Sequence, residues 1–441
     1  MRKWTIKRHM KNHDLLKKYQ IDRHLLSQIT NFQVDSRRVS KGSVFFALKG
    51  EQRAGEDFLK QVFDNEGVIA FVSKECKKLG FELKTIKVDD TLDTLQALAK
   101  EKLSDYKGKT IGITGSSGKT TTKDFVAKLL EGDFKVKKTI GNANSQIGLP
   151  LTVLNSDLDC DVQILEMGMS KKGHIQKLTE IAIPDIALIT NVGYAHAENF
   201  DSLEKIAEAK SEILKDANIK IVDYQLLQYD CIRRHSPITF SINDKRADYF
   251  LDIKTGHLYE KSEKAVKLAL PFQEASFLHD LLGSIAVTRQ LKISYENIQL
   301  KLLNLKIPSM RFEKFEKNNI LFINDSYSSN PSSLLAAIQN LSFYERRRVA
   351  VIGPMLELGR YSEQKHFELG EVAAEKIDIL FTIGKDTEAM HKAFLNKNPH
   401  AYHFSDLNLL ALTLLKILKE EDVVLVKGSR AVQLEKLFEI I

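Results

Sequence analysis

One short run constrains this chain more than any other: Gly115-Ser116-Ser117-Gly118-Lys119-Thr120-Thr121. It follows an apolar stretch at 110–114 that reads as a strand, and it opens a segment with helical spacing as far as Leu130. A glycine-rich turn at such a junction lets backbone N–H groups approach phosphate oxygens, and the helix N-terminus adds positive potential. Lys119 then reaches the β- and γ-phosphates, while the Thr120 hydroxyl is placed to ligate Mg²⁺. The longer form of this loop has a glycine five residues before Gly118, where this chain has Ile113. A purely structural turn is the competing reading, and the strand–turn–helix context favours nucleotide binding.

Around the loop, strand and helix patterns alternate. Buried-strand candidates at 162–165 and 186–190 precede a helix at 204–214, where Ile206, Ala207, Ala209, Ile213 and Leu214 recur at helical spacing. Such alternation predicts an α/β unit with a mostly parallel sheet. Residues 247–270 read instead as a β-meander turning at Thr255-Gly256. The first hundred residues carry apolar runs at 44–48 and 68–72 and a helical pattern at 92–103, a small α/β unit followed by a hinge at 106–109. Beyond Ser309, strand candidates at 320–323, 349–352, 379–383 and 423–426 predict a second doubly wound, Rossmann-like unit. A chain of 441 residues accommodates three such domains.

Composition narrows the function classes. Lys and Arg number 65 against 58 Asp and Glu, and the resulting +7 suits an anionic partner such as a nucleotide. The excess forms no single stripe; its densest stretch is 2–18, which reads as a solvated face, so no nucleic-acid partner is expected. Cys76, Cys160 and Cys231 are odd in number and widely spaced, which argues for reduced thiols rather than a disulfide framework. The first twenty residues contain no apolar signal core, and no stretch approaches 18 uninterrupted apolar residues. The expectation is a cytoplasmic protein without membrane insertion, and a monomer in the absence of heptads.

Glu166 follows one buried-strand candidate and His196 lies just beyond the other. Ligands of open α/β sheets sit outside the carboxyl ends of the strands, so Lys119, Glu166 and His196 are expected in one crevice. A carboxylate and an imidazole beside ATP are sensible Mg²⁺ ligands, although each alone reads as an ordinary loop residue. Lys210, on the following helix, reads from spacing as a surface lysine with its stem along an apolar face. Asp325 ends a strand candidate in the third block, where a carboxylate suits a ribose hydroxyl. The stretch 324–331 otherwise reads as a strand-to-helix loop with serine capping. Arg311, Lys427 and Arg430 are candidate anion clamps, with solvated surface charge as the alternative. These residues alone point to an ATP-using enzyme with its site between domains.

Taken together, the motifs resemble the Mur ligases. The resemblance runs from about Asp35 to Arg430, through DSRRV (35–39), FFALKG (45–50), TGSSGKTTTK (114–123) and GNANSQIGLPLTVL (141–154). It continues through LEMGMSKKGHI (165–175), ITNVGYAHAENFDSLEKIAEAKSEI (189–213), INDSYSSNPSSLLAAI (323–338), GPMLELG (353–359) and VKGSR (426–430). The short GxxGKT loop is that family's form. Within the family, the motifs resemble most the member that adds a dipeptide.

The resemblance implies an ATP-dependent ligase that joins D-alanyl-D-alanine to UDP-MurNAc-tripeptide through an acyl phosphate, with one or two Mg²⁺. It implies a UDP-sugar domain at 1–106 with Ser36 and Arg37 near the diphosphate, an ATP domain at 107–308, and a domain at 309–441 that closes over the nucleotide. Glu166 and His196 would hold magnesium with Thr120. Lys210 matches the lysine that related ligases carbamylate to bind a second metal. Asn142 would lie near the γ-phosphate; Arg311, Asp325 and Asn330 would close over the nucleotide; and Lys427, Ser429 and Arg430 would line the dipeptide pocket.

The chain departs from the family pattern at four places. Ala54-Gly55-Glu56 stands for DGH, Asn142-Ala143-Asn144 for NYN, and Tyr327-Ser328-Ser329-Asn330-Pro331 for YNANP. His279-Asp280 and Gly283 stand for HN-x-x-N, where the family's adenine contacts lie. Three rivals are a sister ligase adding one amino acid, a folylpolyglutamate-type synthase and an inactive nucleotide-binding regulator.

Overall fold

A computed structural model describes residues 12–50, 52–77 and 80–441. The basic stretch 2–18 therefore lies outside the described residues up to residue 11. The described residues form three separate sheets in sequence order.

The first sheet is small and wholly parallel, in the order β1 (Asn31–Gln33), β2 (Ser43–Phe46), β3 (Ile69–Ser73), β4 (Thr85–Val88). Phe46 and Phe71 stack at 4.8 Å at its centre. The helix Thr91–Ser104, capped by the Asp90 carboxylate, leads out of it and packs on the helix Gly148–Asn155 of the next unit. Two polar ties fix that joint. The buried Lys102 ammonium donates to the carbonyls of Leu154 and Ser156, and the Asn155 amide exchanges both its hydrogen bonds with the backbone of Phe32 on edge strand β1. The expected hinge at 106–109 is a pinned turn instead. A Cβ on Gly108 would lie 2.2 Å from the Tyr106 hydroxyl, and Lys109 N–H donates to the Asp161 carbonyl.

The central sheet has nine strands: β5 (Lys109–Thr114), β6 (Val136–Lys138), β7 (Val162–Glu166), β8 (Ile186–Ile189), β9 (Ile219–Asp223), β10 (Ile238–Ser241), β11 (Tyr249–Asp252), β12 (His257–Glu260) and β13 (Glu263–Lys267). Their order is β13-β12-β11-β10-β9-β8-β5-β7-β6, parallel from β6 to β11 and antiparallel only at the β11–β12–β13 meander. Strand β5 thus lies between β7 and β8. This is the topological switch point at which open α/β sheets bind ligands. Its Ile111 and Ile113 enter an apolar layer shared with Phe125, Val126 and Leu129 of the helix Lys119–Leu130, and with the helix Ala275–Gln290 laid across it.

The third sheet runs β14 (Glu313–Lys317), β15 (Ile320–Asp325), β19 (Val423–Lys427), β16 (Arg348–Ile352), β17 (Ile379–Ile383), β18 (Ala401–Phe404). All four expected strands are present, and all are parallel. The sequence reading missed the two edges. Strand β14, Glu-Lys-Phe-Glu-Lys, is antiparallel to β15 and exposed along its length, so no apolar pattern marks it. Among the described residues, no helix is long and apolar enough to cross a membrane.

Candidate active site

The phosphate-type loop sits where β5 ends, and its shape is set from three sides. Gly118 caps the helix Lys119–Leu130 at φ +78°, a left-handed conformation, and a Cβ there would come within 2.3 Å of the Asp280 carboxylate. A Cβ on Gly115 would strike the Thr190 hydroxyl. Asn191, just past β8, holds the turn with both ends of its amide. Its Oδ1 accepts from the N–H groups of Ser116 and Ser117 at 3.0 and 2.9 Å, and its Nδ2 donates to the Ser117 hydroxyl at 2.7 Å. Ser116 Oγ donates to the Gly193 carbonyl. Ser116 and Ser117, expected to touch phosphate, therefore have their N–H groups committed to Asn191 and act as scaffold. The donors left for an anion are those of Gly118 and of the helix's first turn, at Lys119, Thr120 and Thr121.

Below that turn is a hydroxyl–carboxylate pair. Thr120 Oγ1 donates to Glu166 Oε2 at 2.9 Å, and Asn144 Nδ2 donates to the other carboxylate oxygen at 2.6 Å. Glu166 is buried at the end of β7, and Lys123, also buried, stands 3.9 Å from it while donating to the Gly141 carbonyl. Asn142 is exposed, so the amide that reaches Glu166 is that of Asn144. Lys119 Nζ donates to the Gly115 carbonyl at 2.8 Å; burial lowers its pKa, Glu166 opposes that, and Arg311 adds to it. Lys210 is not the surface lysine that its spacing suggests. It is 2% exposed, and burial first, then the Lys119 charge, pushes its amine far below the usual lysine range.

His196 departs from expectation. It adopts a left-handed backbone, and its Nδ1 lies 2.5 Å from Glu357 Oε2, in the loop after β16. The structure brings Lys119, Thr120 and Glu166 together and engages His196 elsewhere. Among the described residues, no group of three or more His, Cys, Asp and Glu is close enough to hold a metal by itself.

The third sheet meets the loop directly. Asn330 Nδ2 donates to the Ser116 carbonyl at 3.2 Å, while its Oδ1 accepts from Ser333 N–H to cap the helix Pro331–Leu341. The expected serine cap is thus an asparagine paired with Ser333 in a capping box. Lys427 does not line an open pocket. It is 1% exposed at the end of β19, donating to Asp325 Oδ2 at 2.7 Å and to the Ser328 carbonyl. Asp325 also accepts from Phe312 N–H; burial raises its pKa, opposed by Lys427. Arg311 lies over the Tyr327 ring at 4.3 Å. Ser429 Oγ accepts from Leu356 N–H, and Arg430 is exposed and paired with Glu435. Ser36 is buried against Gln61, and Arg37 is exposed and chelates Asp35; neither joins the central cluster.

Asn144, Asn191 and Glu357 were each missed by the sequence reading as site residues. All three fall inside quoted motifs, and only the pairing of distant loops shows what they hold. Of the changed His279-Asp280 pair, Asp280 is buried against Gly118 and His279 is half-buried next to it. His279 Nε2 lies 2.5 Å from Asp223 Oδ2, and Gly283 leaves room for the Phe240 ring, 3.1 Å from where a Cβ would stand.

Comparison with known proteins shows the family and agrees with the fold. The Mur ligase middle domain matches residues 113–288, and the Mur ligase glutamate ligase domain matches 310–430. The chain is 34% identical over 425 residues, 91% of each chain, to the UDP-N-acetylmuramoyl-tripeptide–D-alanyl-D-alanine ligase of Bacillus subtilis (strain 168). It is 30% identical over 419 residues, again 91% of each, to the enzyme of that name from Escherichia coli (strain K12). The crystal structure of MurF ligase from Thermotoga maritima in complex with ADP superposes with a TM-score of 0.81 at 30% identity, covering 95% of this chain and 98% of that one.

Proposed function

From the premise that the chain belongs to the Mur ligase family, we propose that it uses ATP to join D-alanyl-D-alanine to UDP-N-acetylmuramoyl-tripeptide in peptidoglycan precursor synthesis. The observation that carries this reading is the convergence of Lys119, the Thr120–Glu166 pair and buried Lys210 beneath a loop that Asn330 of the third sheet also touches. The relatives named above supply the substrates, and the ADP bound by one of them supplies the nucleotide.

In this proposal the tripeptide's terminal carboxylate attacks the γ-phosphorus of ATP, ADP leaves, and an acyl phosphate forms. The dipeptide amine then attacks the acyl carbon and phosphate departs. Both reactants of the first step are anions, so charge compensation and alignment are the protein's main task. Lys119 and the first-turn N–H groups would hold the transferred phosphoryl oxygens. Thr120 and Glu166, a hydroxyl and a carboxylate already in contact and braced by Asn144, fit a Mg²⁺ ion. That ion, when bound, supplies further neutralisation of the phosphate charge. His196 would join the set only on leaving Glu357. Burial and the Lys119 charge disfavour the ammonium form of Lys210, which suits addition of its amine to CO₂ with loss of a proton, giving the carbamate known in related ligases. Asp325 and Arg311 would face the nucleotide, with Lys427 holding Asp325 in place. Water exclusion by the third domain would keep the acyl phosphate from hydrolysis.

We further assign residues 1–106 to the UDP-sugar, 107–308 to ATP and 309–441 to closure and the dipeptide, all acting in the cytoplasm. The test is phosphate release from ATP with UDP-N-acetylmuramoyl-tripeptide, with and without D-alanyl-D-alanine, beside Lys119→Ala. Release that requires both substrates and vanishes in the variant is expected. Release driven equally well by single amino acids would replace this reading with a sister ligase.

A further inference from the structure

The helix Leu407–Ile417 covers the third sheet in an unusual way. Nine of the twelve residues from 407 to 418, LNLLALTLLKIL, are apolar, yet within the helix only Leu410, Ala411 and Leu414 are buried. Leu409, Leu412 and Leu415 are 57%, 55% and 47% exposed. A helix apolar on all sides belongs inside a core. This one spends one face on the sheet and leaves an exposed ridge of leucines, three residues apart, that none of the described residues covers.

At the end of the same helix, Lys416 and Lys419 line a cleft of about 920 Å³. Lys416 follows Leu412 by four residues on the helix, so it continues the ridge, and Lys419 lies just past the helix end on the same cleft. The facing wall is the segment from Ser342 to Arg348. There Arg347 is held by Asp422 and Arg348 by Asp378, while Arg346 stands 4.0 Å from Glu316 and Glu345 is exposed beside it. The cleft's remaining positive charge thus comes from Arg346, Lys416 and Lys419, against the one carboxylate of Glu345. Next to Tyr344 on that wall, Phe343 is 74% exposed. The cleft opens at the amino ends of β16 and β17, whereas Asp325 and Lys427 end their strands at the opposite edge of the sheet.

We infer that this surface docks the protein on an anionic lipid bilayer, with phosphate headgroups at the cleft and the Leu409–Leu412–Leu415 ridge and Phe343 dipping into the interface. The leucines stand on a convex helix, a shape that a fluid interface accepts. The lysines stand at its flank, where their stems run along apolar surface and their charges stay with the headgroups. No acidic residue occurs from 407 to 419. A second copy of this chain is a poor occupant, because two-fold pairing would set cationic cleft against cationic cleft. Docked this way, the candidate active site faces the solution.

The test is flotation of the full chain with vesicles of phosphatidylglycerol and phosphatidylcholine, against vesicles of phosphatidylcholine alone, at low and high salt. Binding to the anionic vesicles at low salt is expected, falling at high salt. Leu412→Glu with Leu415→Glu, and separately Lys416→Glu with Lys419→Glu, are each expected to weaken it about tenfold or more. Phosphate release, the control for folding, stays unchanged; should the leucine pair lose it, the lysine pair decides. No flotation at low salt overturns the assignment, as does binding indifferent to both pairs. Binding to polyglutamate without binding to vesicles also overturns it, in favour of an acidic protein partner.

Discussion

Beside the phosphate loop, His279 carries a proton for reasons that its own burial opposes. Desolvation works against the charge, but the hydrogen bond with Asp223, aided by Asp280, holds its pKa up at about 9. A histidine whose folded pKa is raised contributes stability that is complete below its unfolded value near 6.5 and disappears as pH rises through about 9. The expected loss across that window is on the order of 3 kcal/mol. Urea unfolding at several pH values should show it, and Asp223→Asn should remove most of the slope; an unchanged slope would refute the pairing. Residues with a chemical signature of their own were legible beforehand: Lys119 and Thr120 by their place after a strand, Glu166 by ending one. Lys210 was misread from spacing, because burial of a lysine depends on what packs over the helix. Asn191 and Glu357 were silent, since each acquires its role from a partner 75 or 161 residues away in sequence.

Long apolar elements buried on both faces announced themselves; edge elements did not, nor did the inner strands β9 and β10, whose runs are interrupted by Lys220 and Thr239. The runs at β5, β7, β8 and the four inner strands of the third sheet are continuous apolar stretches, as two-sided burial requires. Strands β14 and β18 sit at edges, where alternating charge or a half-exposed face erases the pattern. The helix Pro331–Leu341 shows how an element's end can serve two purposes, since Asn330 caps it with one atom and binds the loop with another. Asn330→Ala is expected to cost about 1 kcal/mol of stability through the cap. It should also raise the KM for ATP, whereas Asn330→Asp, which keeps the capping oxygen and loses the donor, should recover the stability alone. Thermal melts beside steady-state kinetics separate the two effects. Recovery of both by aspartate would show that the bond to Ser116 is idle.

At the scale of the molecule, the third unit is fastened to the central one at three places among the described residues: the loop bond of Asn330, a seam where Lys314 donates to Glu274 at 2.6 Å and Asn340 to Ser276, and a clasp around His196. In the clasp, His196 pairs with Glu357, Glu198 N–H donates to the Glu357 carbonyl, and the Tyr361 hydroxyl and Arg360 both donate to the Asp201 carbonyl. Tyr361→Phe with Arg360→Ala should loosen it, and solution X-ray scattering should then show a larger radius of gyration without ATP that contracts when an ATP analogue is added. Identical curves for variant and parent would deny the clasp any part in holding the domains. The order of strands in the third sheet has a consequence for how the molecule comes into being. Strand β19 is the last to be made, yet it lies between β15 and β16 and pairs with both. Until it leaves the ribosome, the nascent third sheet is two unjoined pieces, and Asp325 waits for the lysine that will hold it. Synthesis and assembly thus run in different orders, and the third sheet's side of the candidate site stays incomplete until the last strand of that sheet arrives.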